Sequence, residues 1–203
     1  MTYKNECSAI VNRCVWVNMD NPRSIQYHDT EWSVPQHTDK RLFEMLILEC
    51  FQAGLSWECI LNKREGFRQA FDDFDVEKIS RYDEKKCTQL LSDPSIVRNR
   101  LKIQASVTNS RIFMQIQKEY GSFDAYIWDF TEVKSIYESC DIRATSPLSD
   151  QISKDLKKRG MKFVGSTIIY SFLQAIGILS AHMEGCDCCG KKSLSVDNRQ
   201  PTK

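Results

Sequence analysis

The chain has 203 residues, which is enough for one domain with a sizeable core. Its 28 basic and 27 acidic residues leave a formal net charge of +1, which excludes a globally basic protein, so any polyanion site must be a local basic patch. The start of the chain lacks the apolar core of a signal peptide, and apolar runs elsewhere are too short to span a bilayer. We therefore expect a cytoplasmic protein that does not associate with membranes, in which the nine cysteines are thiols and metal ligands rather than disulfides.

Apolar residues three and four positions apart recur along most of the chain, and no segment alternates like a strand over a useful length. We predict an all-α protein of roughly eight helices in a single domain of two helical lobes, over residues 11–189. Residues 1–10 are predicted to be loose, and the polar residues 190–203 to form a disordered tail. The predicted helices cover residues 39–52, 56–71, 76–82, 83–92, 99–120, 123–130, 146–159 and 165–177. The residues expected to break helices are Gly54, Gly66, Pro94, Gly121, Pro147 and Gly160.

The first predicted helix carries an acid on its apolar face. Asp39 is the expected N-cap, and Glu49 then falls on the same face as Leu42, Met45 and Leu46. Burying an ionised carboxylate without partners is costly, so Glu49 either has partners in the protein or awaits a ligand that supplies them. The alternative is a glutamate that leans out to solvent at the helix end.

A turn follows this helix at Gly54, which can take the left-handed conformation of a C-terminal cap. Leu55 and Trp57 are therefore expected on an exposed turn. For Leu55 the alternative is a place in the core, where an isolated leucine usually lies.

The last two predicted helices are joined by the hairpin GMKFVG, which starts at Gly160 and ends at Gly165. Ser146 is the expected N-cap of the first helix and Pro147 its first residue. The two glycines allow a tight turn and a close approach to a partner. The amides of Gly165, Ser166 and Thr167, at the start of the second helix, can bind a phosphate.

Basic side chains surround this hairpin, and they give a local charge of about +4 once Asp155 is subtracted. The alternative is an ordinary helical hairpin with a solvated basic face. Two further clusters, one at Arg98, Arg100 and Lys102 and one at Lys63 and Arg64, are candidates to extend the basic surface. The cations at the hairpin are Lys154, Lys157, Lys158, Arg159 and Lys162.

Histidine and cysteine occur together near both ends of the chain. His182 and Cys186 lie one helical turn apart, and Cys14 and His28 lie near the start. Two cysteines and two histidines can form a closed tetrahedral Zn²⁺ site. Such a site would join the N-terminal and C-terminal parts of the chain, and it would leave no open coordination position for catalysis. A purely local site is the alternative, with the ligands His182, Cys186, Cys188 and Cys189.

Taken together, several motifs resemble the 3-methyladenine DNA glycosylase I family, the constitutive alkylation-repair enzymes of bacteria. The resemblance covers about residues 12–189, and it rests on the segments RCVWV, YHDTEWSVP, LFEMLILECFQAGLSW, KKRGMKFVGSTIIYSFLQAIG and HMEGC. It implies a helix-hairpin-helix glycosylase fold, with a structural Zn²⁺ at the joined N- and C-terminal segments. The implied zinc ligands are Cys14, His28, His182 and Cys186.

The same resemblance places Glu49, Tyr27 and Trp57 in the pocket for the damaged base. Methylation at N3 puts a positive charge on adenine, so aromatic faces favour it by roughly 0.5–2 kcal/mol for each good contact. Glu49 is the catalytic candidate, because its carboxylate can accept a hydrogen bond from the exocyclic amine of the base and balance its charge. Trp16 is a candidate third wall, and Leu55 beside Gly54 a candidate wedge in the duplex.

The implied activity is hydrolysis of the N-glycosidic bond of 3-methyladenine in alkylated double-stranded DNA by a monomer, which releases free 3-methyladenine and leaves an abasic site. The DNA-binding residues are then Gly54, Leu55, Gly160, Lys162, Gly165, Ser166 and Thr167. No lysine opens the second hairpin helix, so no lyase activity is expected.

The sequence also departs from the wider pattern. Most helix-hairpin-helix glycosylases carry a catalytic aspartate about twenty residues after the hairpin, where this chain reads HMEGC and has only Glu184 and Asp187 nearby. Val15 and Ser33 also stand where the family pattern has glycines. Two other classes compete: a zinc-stapled DNA-binding module without catalysis, and a zinc hydrolase, which needs an open coordination position.

Overall fold

A computed structural model describes residues 12–137 and 143–189, so the predicted loose segment 1–10 and the predicted tail 190–203 lie outside the described residues. Within those ranges the chain forms nine α-helices, one 3₁₀ turn and two very short strands. None of these helices is long and apolar enough to cross a membrane. The helices are α1 Pro22–Thr30, α2 Asp39–Gln52, α3 Trp57–Ala70, α4 Val76–Ser80, α5 Glu84–Ser92, α6 Arg100–Tyr120, α7 Phe123–Asp129, α8 Pro147–Arg159 and α9 Ser166–Ala175; the 3₁₀ turn is Asp72–Phe74 and the strands are β1 Ile136–Tyr137 and β2 Leu179–Ser180.

The α2 helix is the centre of the fold. All of its residues from Leu42 to Phe51 are buried, and it packs against α3, α6, α7 and α9. The helix and its C-terminal end were predicted correctly, because the apolar residues recur with a clear helical period and Gly54 follows the helix with φ +77°.

The α1 helix was not predicted, although it carries two of the candidate site residues, Tyr27 and His28. It has few apolar residues, so the periodicity gave no signal. Its start was nevertheless visible, since Asn21 accepts a hydrogen bond from the amide of Arg23 as the N-cap and Pro22 is the first helical residue.

Two local predictions were wrong. Thr38, rather than Asp39, is the N-cap of α2. The Asp39 carboxylate instead accepts hydrogen bonds from the amides of Phe123 and Asp124 at the start of α7, at 2.9 and 2.8 Å, which links the two helices. Gly66 does not break a helix; it lies inside α3, where a Cβ would come within 2.6 Å of the carbonyl oxygen of Ser95.

The predicted helical hairpin is present. Ser146 caps α8, Gly160 ends it with φ +104°, and Gly165 is the N-cap of α9. Asn109 on α6 fixes the loop between them, because its side chain donates to the carbonyl oxygen of Lys162 (2.9 Å) and accepts from the Lys162 amide (2.8 Å). The loop therefore has a defined position against α6.

The N- and C-terminal segments of the described chain meet. The amide of Asp187 donates to the carbonyl of Asn12 at 2.9 Å, and the Asn12 amide donates to the Asp187 carboxylate at the same distance. Nearby, β1 and β2 form a two-residue parallel ladder that pairs Ile136 with Leu179. This ladder was not predicted, because two-residue strands are too short to show alternation.

Candidate active site and metal centre

A cavity of about 420 Å³ opens between α1, α2, α3 and α9. This volume is in the usual range for small-ligand sites. Glu49, Tyr27, Trp57 and Trp16, which the sequence proposed for one pocket, all line it. Sequence reasoning missed the other nine described lining residues, which are Asn18, Ser24, Trp32, Gln52, Ser56, Glu58, Leu61, Ser171 and Gln174.

Two of these missed residues carried a sequence signal. Trp32 lies four residues after His28, within the YHDTEW motif, and Gln52 lies two residues before Gly54 at the exposed turn. Ser171 and Gln174 carried none, because they reach the cavity from α9, far away along the chain.

Glu49 lies in the last turn of α2 with only 3% of its surface exposed. It makes no hydrogen bond or ion pair with any residue that the structure describes. Burial raises the pKa of its carboxyl to about 8. The alternative of a solvent-exposed glutamate at the helix end is therefore wrong. The acid faces the cavity, and no described residue binds its carboxyl group.

Aromatic rings form the walls beside this acid. The rings of Tyr27 and Trp57 lie 5.2 Å apart at 50°, and Tyr27 is buried. Burial, and secondarily the charge of Glu49, hold the pKa of Tyr27 well above its usual value. The indole N–H of Trp57 is buried without an acceptor among the described residues. Trp16 is 39% exposed, with its edge against Tyr27 and Trp32 at the cavity's outer side.

Gly54 and Leu55 lie on the predicted exposed turn. The expectation that Trp57 also lies on it was wrong, because Trp57 is the first residue of α3 and is partly buried against the core. Gly54 has a positive φ, and Leu55 is 38% exposed, so the core alternative for Leu55 is wrong. Two contacts shape the turn: the side-chain amide of Gln52 donates to the carbonyl of Leu55 at 2.8 Å, and the ammonium of Lys102 donates to the carbonyl of Ala53 at 2.5 Å.

Two basic side chains that were candidates for a basic surface, Lys102 and Arg64, are buried and bind acceptors inside the protein. Lys102 is buried and also donates to the carbonyl of Phe51, at the C-terminal end of α2, at 2.7 Å. Arg64 is buried between Glu31 and Glu44, with distances of 2.9 Å to each. The proposal that Lys102 and Arg64 extend the basic surface was wrong, because sequence alone does not reveal buried acceptors.

The hairpin keeps part of its predicted basic character. Lys154, Lys157, Lys158 and Lys162 are exposed. Arg159, by contrast, is paired with Asp155 on α8 and with Glu119 on α6, and its guanidinium lies over the rings of Tyr120 and Tyr126.

The start of α9 has no side-chain cap at Gly165. Ser166, in the first turn, donates a hydrogen bond to Asp150 and shares one with Ser149 at 2.8 Å. Thr167, next along the helix, is exposed. The loop and the first turn of α9 therefore offer backbone amides beside exposed lysines.

A second site lies where the N- and C-terminal segments of the described residues meet. Cys14, His28, His182 and Cys186 are all buried, and their ligand atoms lie within 4.8 Å of one another. The Cys186 sulfur is 3.5 Å from Nε2 of His28 and 3.6 Å from Nδ1 of His182, and the Cys14 sulfur is 3.7 Å from the latter. Sulfur and nitrogen ligands of a tetrahedral Zn²⁺ are separated by about 3.6 Å, given Zn–S and Zn–N bonds of about 2.3 and 2.0–2.1 Å. The donor set therefore fits a closed metal site.

Neighbouring residues orient these donors. Nδ1 of His28 lies 2.8 Å from the Asp29 carboxylate, and Arg13 binds that carboxylate through two nitrogens. Such a carboxylate fixes the ring so that Nε2 is available to bind a metal ion. Among the described residues, the potential metal-binding groups are this set of four and a second group of His28, Asp29 and Cys188. The four predicted local ligands are not grouped together, so the described donors favour the long-range set.

Comparison with known proteins gives consistent results. A family model described as methyladenine glycosylase matches residues 16–189. The chain is 44% identical over 183 residues to DNA-3-methyladenine glycosylase 1 of Escherichia coli (strain K12), across 88% of this chain and 97% of that protein.

Solved structures agree with this result. A crystal structure of 3-methyladenine DNA glycosylase I matches with a TM-score of 0.84 and 42% identity, over 87% of this chain and 99% of that one. A variant of 3-methyladenine DNA glycosylase I in complex with 3-methyladenine matches with a TM-score of 0.83 and 34% identity, over 87% and 97%. The chain is thus a glycosylase, and it belongs to the methyladenine glycosylase family.

Proposed function

We propose that this enzyme hydrolyses the N-glycosidic bond of 3-methyladenine in alkylated double-stranded DNA and releases the free base. The observation that carries the proposal is Glu49, a buried acid that faces an aromatic cavity and has no partner among the described residues. A cationic base with an exocyclic amine supplies both the charge and the hydrogen bond that this carboxylate lacks. The complex of a related glycosylase with 3-methyladenine supports the choice of base.

The damaged nucleotide leaves the base stack before it reacts. Extrusion costs a few kcal/mol, and contacts with the flipped base offset that cost. Tyr27 and Trp57 offer faces that prefer a cationic ring to a neutral one, and Trp16 covers the outer side. Leu55, exposed beside Gly54, fills the gap left in the duplex.

Hydrolysis then breaks the bond between C1′ of the sugar and N9 of the base. The bonding electron pair goes to N9, which neutralises the positive ring, and a water molecule adds to C1′ with loss of a proton. Because the methylated base is already a good leaving group, positioning contributes more than a strong general base. Glu49 is the catalytic residue in this account, since it holds the exocyclic amine and fixes the base.

The helix-hairpin-helix element binds the DNA backbone. Gly160 and Gly165 allow the loop to approach a strand, and the amides at Gly165, Ser166 and Thr167 receive a phosphate. Lys162 adds an exposed positive charge, and no acid in residues 12–137 or 143–189 forms an ion pair with it. Ser166 and Thr167 stand where a Schiff-base lysine would be needed, so the reaction ends at an abasic site without strand cleavage.

Zn²⁺ bound by Cys14, His28, His182 and Cys186 would be structural, because four protein ligands leave no position for water. These residues join the N-terminal segment, α1 and the segment after β2, and so hold Tyr27 and Trp16 against the cavity. We further propose that the enzyme acts as a monomer in the cytoplasm.

The direct test is release of free 3-methyladenine from methylated duplex DNA by the wild type and by Trp57→Ala and Trp57→Phe. We expect the alanine variant to lose release and the phenylalanine variant to recover part of it, because a ring face remains. The abasic strand should stay intact until alkali is added. Binding to DNA without release of base by the wild type would favour a non-catalytic DNA-binding module and contradict the proposal.

Chelation tests the metal separately. A structural ion predicts a lower melting temperature, with unchanged turnover in protein that remains folded at low temperature. Loss of turnover in a fully folded protein would instead indicate a metal hydrolase.

A further inference from the structure

The cavity is lined by acids and not by bases. Among the described residues, Glu49 and Glu58 are the carboxylic acids that line it, and no lysine, arginine or histidine does. Glu49 lies deep, with 3% exposure, whereas Glu58 is half-buried at the start of α3, directly after Trp57. The proposed reaction requires Glu49 but gives no role to Glu58.

Glu58 is held in place by two amides. Its Oε1 accepts a hydrogen bond from Nδ2 of Asn18 at 2.7 Å and another from Nδ2 of Asn21 at 2.8 Å. Asn18 also lines the cavity, and Asn21 caps α1, the helix that carries Tyr27. Oε2 makes no hydrogen bond within the described ranges, and no basic side chain there pairs with Glu58. The carboxylate therefore has a fixed position and an unneutralised charge.

An acid in the first turn of a helix is common, since it interacts favourably with the helix dipole. That interaction does not require a place in a cavity or two amide donors from another segment. A negative charge beside a DNA-binding turn also repels phosphates, so it weakens binding of undamaged DNA. The position of Glu58 in the cavity and its two amide donors both fit a site for a positively charged ligand.

We infer that Glu58 is a specificity-determining residue that holds a second negative charge at the cavity and favours cationic, N-alkylated purines over neutral bases. The inference rests on the proposed function. In a partly solvated cavity, one unit charge several ångströms from another changes an equilibrium by roughly fivefold. Glu58 then attracts the cationic base as it enters the cavity, and Glu49 binds the exocyclic amine once the base is in place.

The test uses Glu58→Gln, which retains an oxygen that can accept from Asn18 and Asn21 and removes only the charge. Glu65→Gln is the matched control, because it lies on the same helix, changes the net charge equally and does not line the cavity. Two duplexes are compared, one with 3-methyladenine and one with its uncharged isostere, in which carbon replaces N3. Melting temperatures confirm that each variant is folded.

We expect Glu58→Gln to lower kcat/KM for the charged lesion roughly fivefold at low salt, while leaving the Kd for the uncharged duplex unchanged or slightly lower. The ratio of variant to wild type should approach one as salt rises, and Glu65→Gln should match the wild type. An unchanged kcat/KM for the charged lesion, or equal losses on both duplexes, would overturn the inference. Failure of the wild type to release 3-methyladenine would instead refute the proposed function.

Discussion

Glu44 and Glu49 lie on the same helix, α2, and are 6% and 3% exposed, yet their surroundings are opposite. Arg64 and Arg68 each lie 2.9 Å from the Glu44 carboxylate, and Arg41 lies 2.5 Å from it. Burial alone would raise the pKa of Glu44, but these three cations outweigh burial and lower it. No described cation pairs with Glu49, and burial raises its pKa to about 8.

The difference separates a structural acid from a functional one. Glu44 is satisfied within the protein, and its ion pairs connect α2 to α3. Glu31 on the segment after α1 shares Arg64 and Arg41, so the same network supports the helix that carries Tyr27. Glu49 has a perturbed pKa, a cavity and aromatic neighbours, which is the combination expected of a site that awaits a ligand.

The largest expected effect concerns the paired acid. Glu44→Gln should lower the free energy of unfolding by about 3 kcal/mol, because it leaves buried guanidinium groups without a full counter-charge. Urea denaturation measures this change. Activity per folded molecule should stay close to wild type; a stable Glu44→Gln variant with little activity would remove the distinction between the two acids.

The second effect concerns the unpaired acid. Glu49→Gln should reduce excision of 3-methyladenine by roughly 100-fold at pH 8, because the variant keeps the shape but not the negative charge that faces the base. Single-turnover release of the base measures this loss. Stability should not fall, since no ion pair of the described protein is broken; a folded variant with full activity would contradict the assignment.

A third effect follows from the raised pKa of Glu49. If the carboxylate is the active form, kcat/KM should rise several-fold for each pH unit up to about 8 and then level off. Glu49→Gln should lack this rise. A wild-type kcat/KM that does not change between pH 6 and about 9 would contradict the assignment of the Glu49 carboxylate as the active form.

The same shift predicts how stability depends on pH. The folded protein keeps the Glu49 proton up to about pH 8, whereas the unfolded chain loses it near the ordinary pKa of 4.5. The contribution of Glu49 to stability is thus fully present below the unfolded pKa and is lost as pH rises through about 8. Melting temperatures of Glu49→Gln and wild type should therefore diverge across this window, with the variant gaining.

The smallest expected effect concerns two lysines, the exposed Lys162 and the buried Lys102. Lys162→Ala should weaken DNA binding several-fold and reduce the salt dependence of log K by about 1, without loss of stability, because its ammonium is exposed. Lys102→Met should lower the melting temperature instead, because Lys102 satisfies carbonyls at the end of α2. Equal melting temperatures of the two variants would contradict the conclusion that the buried Lys102 stabilises the fold and the exposed Lys162 does not.

The parts of the fold that sequence predicted are those with strong local signals. The α2 helix, the turn at Gly54, and the hairpin bounded by Gly160 and Gly165 were all predicted, since apolar period and glycine position specify them. The polar α1 helix was missed, because an amphipathic pattern is absent and only the Asn21 cap marks it.

For the site, the sequence revealed the unusual acid but not its neighbours across the fold. Glu49 was conspicuous within an apolar run, whereas Gln174 and Glu58 join the cavity only through tertiary packing. Arg64 looked like a surface cation because its acceptors, Glu31 and Glu44, belong to other elements. Local sequence contains little information on which charges find buried partners.

The role of Glu49 can be tested by determining the pKa of its carboxyl group by ¹³C NMR, in the free protein and with DNA that contains 3-methyladenine or a stable cationic analogue. We expect a pKa near 8 in the free protein and a marked decrease when the cationic base binds, because the ligand supplies a positive charge beside the carboxylate. A pKa near 4.5 in the free protein, or one that the cationic base leaves unchanged, would contradict this role of Glu49.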